Sequence, residues 1–305
     1  MIESTLTLSD SRLFEKKGKK KKKARIIVIS GQSNAVGVGH VKCLAKHFPQ
    51  ELVEKWEKGF PNIKINYFSH DKKSNGFVPT ATGCTEVSKY TIGPELGIAE
   101  ALDRRCPGEE FFIVKCAFGG MSLHTDFISP SGENYYDPDA YADQKENIVA
   151  NYFNGDPIRP GWCYNELVKI TRESIVALEA EGYAPEIVSF CWMQGEGDSI
   201  TQDQLDNYIR RYDAMLADFN REFAPYIAEN CTYTDAGIST IWPLWEGMNK
   251  AKKEYSETKP CLRFIDTVGE GLTTKNEPPE EPDIYHYDSD SMIKLGLLYA
   301  AEIPV

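Results

Sequence analysis

ARIIVISGQSNAVGVGH, at residues 24–40, is the stretch that decides the fold of this chain. Its apolar and largely β-branched first part predicts a buried strand over residues 25–30. The strand stops at a Gly-Gln-Ser-Asn tetrad, which presents Ser33 at its carboxyl end. Ligands bind at the carboxyl ends of the strands in open α/β folds. The stretch therefore predicts an α/β fold and makes Ser33 a candidate functional residue.

Short apolar runs alternate with helical patterns along the rest of the chain. Near-continuous apolar strands between helices are typical of a parallel sheet that is covered on both faces. No repeat and no flexible linker divides the pattern, which indicates one domain over residues 24–305. The further predicted strands are 64–69, 111–116, 186–193, 232–240 and 261–266, and the predicted helices begin near Gly93, Cys163, Gln204 and Ser291.

The charge distribution limits the partners of the protein. A net charge of -12 argues against a general affinity for nucleic acid. The run KKGKKKKK places seven lysines between Lys16 and Lys23, and we interpret residues 1–23 as a flexible, solvated arm. A tether to an anionic surface, a polymer or nucleic acid is the alternative interpretation of this run.

No segment of the sequence has the pattern of a signal peptide or of a membrane span. This pattern predicts a cytoplasmic protein with no membrane partner, and it makes no prediction of oligomeric state. There is also no Cys-x-x-Cys pair that would favour a zinc site.

A long segment at about residues 121–162 is rich in Tyr, Asp, Asn and Pro. It is too long for an ordinary connection between a strand and a helix, and loops of this length are usually functional or disordered. We predict an ordered insertion beside the ligand cleft, because aromatic faces next to Asp and Asn are typical of sugar-binding sites. A surface excursion without a function is the alternative.

A nucleophilic serine needs a base within hydrogen-bond reach and donors for the oxyanion that forms. His286 is the candidate base, because Asp283 precedes it by three residues in a turn-like segment ahead of a helix. In such a turn Asp283 accepts from the imidazole Nδ1–H and leaves Nε2 facing Ser33. Asp288 and Asp290 are alternative orienters, and a surface pair without a function is the other interpretation.

Two further strand ends supply candidate oxyanion donors. In CAFGGMSL, Gly119 and Gly120 allow backbone N–H groups to approach a ligand, because no Cβ is in the way. In CWMQGEGDS, Gln194 follows the end of a strand, and its amide is a neutral donor. Three strand ends and the Asp/His segment are thus expected to converge on one cleft.

Five motifs occur in order: GQSNAVG, GPELGIAEAL, KCAFGGMSL, WMQGEGDS and DIYHYDSDSMIKLG. Together they resemble the SGNH (GDSL-like) hydrolase superfamily. They are most similar to its carbohydrate acetylesterase branch, which includes sialate O-acetylesterases and the acetylxylan esterases of carbohydrate esterase family six. The matching blocks run from about Arg25 to Ile303. The resemblance implies a three-layer α/β/α sandwich with a flavodoxin-like parallel sheet, and no metal or organic cofactor.

The resemblance also implies a role for each candidate catalytic residue. Ser33 would attack the ester carbonyl, His286 would act as base and then as acid, and Asp283 would orient His286. The oxyanion donors would be the Ser33 backbone N–H, a backbone N–H of the Gly119–Gly120 pair and the Gln194 side chain.

Four polar residues next to these positions are candidates for substrate binding: Gln32, Asn34, Glu196 and His124. Gln32 and Asn34 have an alternative role, which is to brace the turn by bonding nearby backbone. Glu196 and Asp198 superficially resemble the carboxylate pair of a glycosidase. Two positions apart on a tight turn, they are better interpreted as capping the next helix or fixing the loop.

The chain departs from the family pattern at Gly197, at Met121 and at Tyr287, which follows the histidine. These changes leave the serine, histidine and aspartate in place. We therefore predict a serine esterase that removes O-acetyl groups from carbohydrates of the oligosaccharide or sialic-acid type through an acyl-enzyme. The alternatives are a short-chain aryl or lipid ester hydrolase of the same fold and a non-catalytic carbohydrate-binding protein.

Overall fold

A computed structural model of the chain describes residues 21–69, 72–84, 90–133 and 160–305. Most of the predicted lysine-rich arm, residues 1–20, lies outside the described residues. Residues 134–159 of the predicted insertion lie outside them as well. Residues 121–133 of the insertion form mostly turns, and residues 160–162 lead into a helix.

The described residues form ten strands, and each predicted strand corresponds to one of them. Eight strands form one sheet in the order β10-β9-β8-β1-β7-β3-β4, with β5 also pairing with β3, and β2 and β6 form a separate antiparallel pair. The strands are β1 (Lys23–Gly31), β2 (Gly39–His40), β3 (Phe60–Ser69), β4 (Lys72–Lys73), β5 (Val78–Thr80), β6 (Thr91–Ile92), β7 (Phe111–Ala117), β8 (Ala184–Met193), β9 (Ile227–Ala236) and β10 (Leu262–Ile265).

The sheet is mixed, with mostly parallel strands, and the predicted α/β fold is confirmed. All pairings from β10 through β9, β8, β1 and β7 to β3 are parallel. The short strands β4 and β5 pair antiparallel with β3 at one edge. Only residues 70 and 71 separate β3 from β4, and a connection this short permits only antiparallel pairing.

Helices cover both faces of the sheet, since all seven residues of β7 are buried although successive side chains point to opposite faces. The helices that the sequence analysis did not predict are Ser33–Val36, Val41–His47, Gln50–Lys58 and Trp245–Ser256, and each of them buries at most three side chains. The helices are α1 (Ser33–Val36), α2 (Val41–His47), α3 (Gln50–Lys58), α4 (Pro94–Arg105), α5 (Trp162–Ala180), α6 (Gln202–Glu222), α7 (Trp245–Ser256) and α8 (Ser289–Glu302).

Helices α4 and α8 cross with their backbones in contact. A Cβ atom added to Gly296 would lie 2.1 Å from the Pro94 carbonyl oxygen, and one added to Gly97 would lie 2.2 Å from that of Ile293. Because no larger residue fits at this crossing, the two glycines fix the position of α8. The segment that precedes α8 contains His286, so the crossing also places the candidate base.

The end of β9 differs from the prediction of a strand over residues 232–240. The strand ends at Ala236, the Gly237 N–H still donates to the Ile265 carbonyl, and the Ile238 backbone groups are satisfied by a side chain of α7. Asn249 Oδ1 accepts from the Ile238 N–H at 2.7 Å, and Asn249 Nδ2 donates to the Ile238 carbonyl at 2.9 Å. This side chain replaces the neighbouring strand, so the chain can leave the sheet.

A buried ion pair joins β7 to the first turn of α4. Lys115 and Glu95 are both fully buried, and Lys115 Nζ lies 2.7 Å from Glu95 Oε2. Lys115 Nζ also donates to the carbonyl oxygens of Val36 (2.5 Å) and Cys84 (3.3 Å). Burial raises the pKa of Glu95, and Lys115 acts to lower it. Because Val36 ends α1, the pair also holds the short helix that begins at Ser33.

Lys115→Met is expected to lower the free energy of unfolding by about 3–5 kcal/mol, because it leaves the Glu95 carboxylate buried without its partner. Adding Glu95→Gln should recover part of that loss, and urea denaturation followed by fluorescence measures both variants. Lys250→Met is the matched control, since Lys250 pairs with Glu254 at 3.8 Å on an exposed face of α7. Its expected effect is below about 1 kcal/mol, and equal losses for the two lysine variants would contradict the prediction.

Candidate active site

Ser33 lies just past the carboxyl end of the central strand β1. The turn that leads to it begins at Gly31, a position where only glycine fits. Gly31 has a φ of +137°, and a Cβ atom there would lie 1.9 Å from the Met193 carbonyl oxygen. The Gln32 N–H donates to the same oxygen at 2.9 Å. This close approach of β1 to the end of β8 leaves Ser33 as the partly exposed first residue of α1.

The side chain of Asn34 connects the three segments of the site. Asn34 Nδ2 donates to Glu196 Oε1 at 2.9 Å, and Asn34 Oδ1 accepts from the Tyr287 N–H at 3.1 Å. Asn34 follows Ser33 in the chain and Tyr287 follows His286. One amide therefore holds the backbone beside the candidate nucleophile against the backbone beside the candidate base.

Asp283 is hydrogen-bonded to the imidazole of His286. Asp283 Oδ2 lies 2.5 Å from His286 Nδ1, and Asp283 Oδ1 accepts from the Tyr285 N–H at 2.9 Å. Partial burial acts to raise the pKa of Asp283, but the hydrogen bonds from His286 and Tyr285 outweigh it and hold that pKa below its ordinary value. The carboxylate is thus ionised and fixed where it can orient the ring.

The two alternative carboxylates have other surroundings. Asp288 is buried and accepts from Thr273 Oγ1 at 2.7 Å and from the Asn276 N–H at 3.0 Å, so it closes the preceding loop. Asp290 lies in the first turn of α8, where a negative charge interacts favourably with the helix dipole. Of the three, Asp283 is the carboxylate that the structure brings to His286.

In the described part of the chain, no hydrogen bond joins Ser33 Oγ to His286 Nε2. Hydrogen bonds between catalytic groups are often long in unliganded enzymes and shorten when substrate binds. Both side chains are partly exposed, and the backbone segments next to them are held together through Asn34. The geometry leaves the two groups accessible to a ligand on the same side of the sheet.

The structure places Gln194 differently from the prediction that its amide donates to an oxyanion. Gln194 is fully buried, and its Nε2 donates to Asp198 Oδ2 at 2.6 Å and to Gln32 Oε1 at 3.2 Å. Both hydrogens of the Gln194 side-chain amide are therefore donated to acceptors within the protein. Gln32 Oε1 accepts a second hydrogen bond, from the Gly197 N–H at 3.0 Å. This geometry does not support direct donation from Gln194.

Asp198 fixes the loop that follows β7. Its carboxylate accepts from the Leu123 N–H at 2.7 Å and from the His124 N–H at 2.9 Å, in addition to the Gln194 amide. Burial raises the pKa of Asp198, while these hydrogen bonds act to lower it. Asp198 thus has the loop-fixing role, which positions the Gly119–Gly120 pair a few residues upstream.

The four predicted substrate-binding residues are all buried. Gln32 is 3% exposed, His124 is 1% exposed, and Asn34 and Glu196 are not exposed at all. Burial raises the pKa of Glu196, whose Oε1 is held by Asn34. Burial does not favour direct contact of these side chains with substrate. The Gln32, Asn34 and Glu196 side chains instead hydrogen-bond within the protein, where they brace the turn and the loops under the site. The local sequence shows that they are near Ser33 but not which way they point.

Two of the backbone N–H groups that are predicted as oxyanion donors are not used by the protein's own backbone in the part of the chain that the structure describes. Within the described residues, the N–H groups of Ser33 and Gly120 have no acceptor in the protein. Gly120 is exposed and has a φ of +71°, a conformation that favours glycine. Phe118, just before the glycine pair, donates its N–H to the Gly31 carbonyl at 3.1 Å and ties that loop to the serine turn.

A buried lysine beneath the site was missed by the sequence analysis. Lys252 of α7 is almost fully buried, and its Nζ donates to the Gln194 carbonyl, to Asp235 Oδ1 (2.8 Å) and to the Ala236 carbonyl (2.8 Å). Burial raises the pKa of Asp235 to about 7, although Lys252 acts to lower it. Lys252 ties the ends of β8 and β9 together, and nothing in the local sequence distinguishes it from its exposed neighbours Lys250 and Lys253.

Within residues 21–69, 72–84, 90–133 and 160–305, no group of three or more His, Cys, Asp or Glu side chains is arranged to hold a metal ion. No helix of the same ranges combines the length and the apolar character that crossing a bilayer requires.

Comparisons with known proteins agree with this architecture. The family model for "carbohydrate esterase, sialic acid-specific acetylesterase" matches residues 23–304. The solved structure of NanS is 18% identical, with 92% of this chain and 97% of that chain covered at a TM-score of 0.61. A protein from Arabidopsis thaliana is 17% identical with the same coverage and a TM-score of 0.58.

A carbohydrate acetylesterase from Xanthomonas citri is also similar, at 13% identity and a TM-score of 0.54, with 91% of this chain and 55% of that chain covered. At these identities the three structures show that the fold is shared. A comparison with curated protein sequences gives no significant match.

Proposed function

The chain belongs to the carbohydrate esterase family of sialic acid-specific acetylesterases, which are carboxylic ester hydrolases, and we propose that it removes O-acetyl groups from carbohydrates by a serine mechanism. The acetylated group would be a hydroxyl of an oligosaccharide or of a sialic acid. Ser33, His286 and Asp283 would carry the reaction through an acetyl-enzyme.

The observation that supports this proposal is the 2.5 Å hydrogen bond between Asp283 Oδ2 and His286 Nδ1 at the edge of the sheet where Ser33 lies. A carboxylate at this position holds the imidazole in the tautomer whose Nε2 can accept a proton. Asn34 fixes the backbone of the His286 segment to that of the Ser33 turn, so the base and the nucleophile belong to one braced unit.

In the acylation step, Ser33 Oγ attacks the acetyl carbonyl carbon while its proton passes to His286 Nε2. The negative charge that develops on the carbonyl oxygen would be stabilised by the backbone N–H groups of Ser33 and of the Gly119–Gly120 pair. When the tetrahedral intermediate collapses, His286 gives the proton to the sugar oxygen, and the free sugar hydroxyl leaves. Asp283 stays ionised and stabilises the imidazolium.

In the deacylation step, His286 takes a proton from a water molecule, which attacks the acetyl-enzyme. Collapse of the second tetrahedral intermediate releases acetic acid, which ionises at neutral pH, and returns the proton to Ser33 Oγ. The two steps together consume one ester and one water and yield one alcohol and one acetic acid. No external oxidant or reductant is required.

Gln194 would act through its neighbours. Its amide joins Asp198, which holds the loop after β7, to Gln32, which precedes the nucleophile. We assign it to positioning the two loops that carry the backbone donors. This assignment replaces the direct oxyanion role expected from the sequence.

Hydrolysis of 4-nitrophenyl acetate and 4-nitrophenyl octanoate, measured beside acetate release from acetylated xylo-oligosaccharides and from O-acetylated N-acetylneuraminic acid, tests the proposal. We expect kcat/KM for the acetyl ester to exceed that for the octanoyl ester by at least about tenfold, which corresponds to about 1.4 kcal/mol in the transition state. Acetate should be released from at least one of the two sugars. A preference for octanoate would favour an aryl or lipid ester hydrolase, and no turnover of any ester would favour a binding protein.

A further inference from the structure

Large apolar side chains are exposed directly beside His286. Tyr285 is 50% exposed and Ile284 is 38% exposed, and both belong to the turn between Asp283 and His286. Ile241 is 40% exposed and lies in the segment that follows β9, next to the partly buried Trp242. Exposed apolar clusters next to a reaction centre mark surfaces that bind a ligand.

The rings of Trp242 and Tyr285 contact each other across these two segments. Their centroids are 5.6 Å apart and their planes are inclined by 43°. We call this pair the aromatic platform. It lies at the carboxyl edge of the sheet, because Trp242 follows the end of β9 and Tyr285 precedes His286. The platform and the candidate base therefore belong to one continuous surface.

Both sides of the aromatic platform are held by backbone hydrogen bonds. The Tyr285 N–H donates to Asp283 Oδ1, so the turn that orients His286 also fixes the Tyr285 backbone. On the other side, the Leu244 N–H donates to the Ser199 carbonyl at 3.1 Å, which ties the Trp242 segment to the loop after β8. An aromatic surface that is already in place loses little entropy when a ligand binds.

The proton transfers of the proposed reaction indicate which part of the ester would lie at the aromatic platform. In the proposed reaction, His286 gives its proton to the oxygen of the leaving sugar, so the sugar must lie on the His286 side of the reacting carbonyl. Tyr285 is the residue that precedes His286 in the chain, and its ring is half exposed. A pyranose ring presents an apolar face of C–H groups, with its hydroxyls at the rim, and such a face packs well on aromatic rings.

We propose that the aromatic platform of Trp242 and Tyr285 is the subsite for the pyranose ring of the leaving sugar. The inference rests on the proposed function and extends it, because it names the side chains that select a carbohydrate alcohol over a simple one. The acetyl group would then be held on the other side of the carbonyl, at the backbone donors. The platform acts on substrate affinity rather than on the proton transfers.

The test compares Tyr285→Ala with wild type on two esters of the same acyl group. The first ester is the acetylated sugar that wild type cleaves faster, either acetylated xylo-oligosaccharide or O-acetylated N-acetylneuraminic acid. The second is 4-nitrophenyl acetate. The readout is kcat/KM for the sugar divided by kcat/KM for 4-nitrophenyl acetate. We expect the ratio to fall about tenfold, mainly through KM for the sugar, which is the order of effect of one aromatic contact. Tyr285→Phe and Tyr285→Trp, which keep a ring, should stay within about threefold of wild type.

Tyr226→Ala is the matched control, because Tyr226 is a partly exposed tyrosine next to the amino end of β9, at the opposite edge of the sheet. It should leave the ratio unchanged. A second readout does not depend on turnover: in a Ser33→Ala background, Tyr285→Ala should raise the Kd of the acetylated sugar about tenfold by calorimetry.

Three outcomes would overturn the inference. An unchanged ratio and an unchanged Kd would show that the sugar does not contact Tyr285. An equal loss on both acetyl esters would make Tyr285 a positioning residue for Asp283. A loss confined to 4-nitrophenyl octanoate would assign the platform to a long acyl chain. If wild type cleaves no ester, the proposed function fails, and the Kd comparison, made with both acetylated sugars, still decides whether the platform binds sugar.

Discussion

Ser33→Ala is expected to lower kcat/KM for 4-nitrophenyl acetate by about 10⁴–10⁶-fold, because it removes the atom that would form the acetyl-enzyme. The backbone donors remain, so a small residual rate above that of water is expected. The variant should keep the thermal stability of wild type within a few degrees, since the side chain is partly exposed and makes no hydrogen bond to the described residues. Initial rates and thermal melts measure both quantities.

Ser30→Ala is the matched control for this variant. Ser30 lies three residues earlier, on strand β1, and its Oγ donates to the Cys116 carbonyl at 2.6 Å in the core. Its loss should cost about 1 kcal/mol of stability and leave kcat/KM within a few-fold of wild type. A Ser33→Ala variant that keeps more than a tenth of the wild-type rate would rule out the serine mechanism.

Mass spectrometry gives the same prediction an independent measurement. Wild type that is quenched in acid during turnover should carry the mass of one acetyl group on the peptide that contains Ser33. The Ser33→Ala variant should carry none. An acetyl group found on another residue would move the nucleophile there, whatever the rates show.

The central features of the fold and of the site could be predicted from the sequence because each is a local signal. The apolar run 25–30 ends at a glycine, and Gly31 does occupy a turn that a side chain would block. Asp283 and His286 are three residues apart, and a turn at this spacing brings their side chains together. Parallel strands then place these separate segments at one edge of the sheet.

The partners of the buried polar side chains could not be predicted, because they depend on which way each side chain points. Gln194 follows a strand end, as a donor to a ligand would, yet its amide is used by Asp198 and Gln32. Lys115 and Lys252 are lysines that composition alone would place on the surface. Each is buried because three acceptors from distant segments surround its ammonium group.

The hydrogen bond between Asp283 and His286 leads to the second large prediction. His286→Ala should lower kcat by about 10⁴–10⁶-fold, because both proton transfers lose their carrier. Asp283→Asn should cost less, about 10²–10⁴-fold, because the imidazole remains and only its orientation and the stabilisation of its charged form are lost. Steady-state kinetics with 4-nitrophenyl acetate at a fixed pH measure both variants.

Asp290→Asn and Asp288→Asn are controls that distinguish the loss of His286 orientation from the loss of a nearby negative charge. Asp290→Asn removes the same charge from the same segment without touching His286, and it should change kcat by less than about threefold. Asp288→Asn should lower thermal stability, because Asp288 holds the loop through Thr273 and Asn276, while the folded enzyme keeps most of its kcat. If either control lost as much kcat as Asp283→Asn, the carboxylate that orients His286 would have to be reassigned to it. A loss of kcat that is largest for His286→Ala, smaller for Asp283→Asn and far smaller for the two controls is expected only if the reaction uses the observed hydrogen bond between Asp283 and His286.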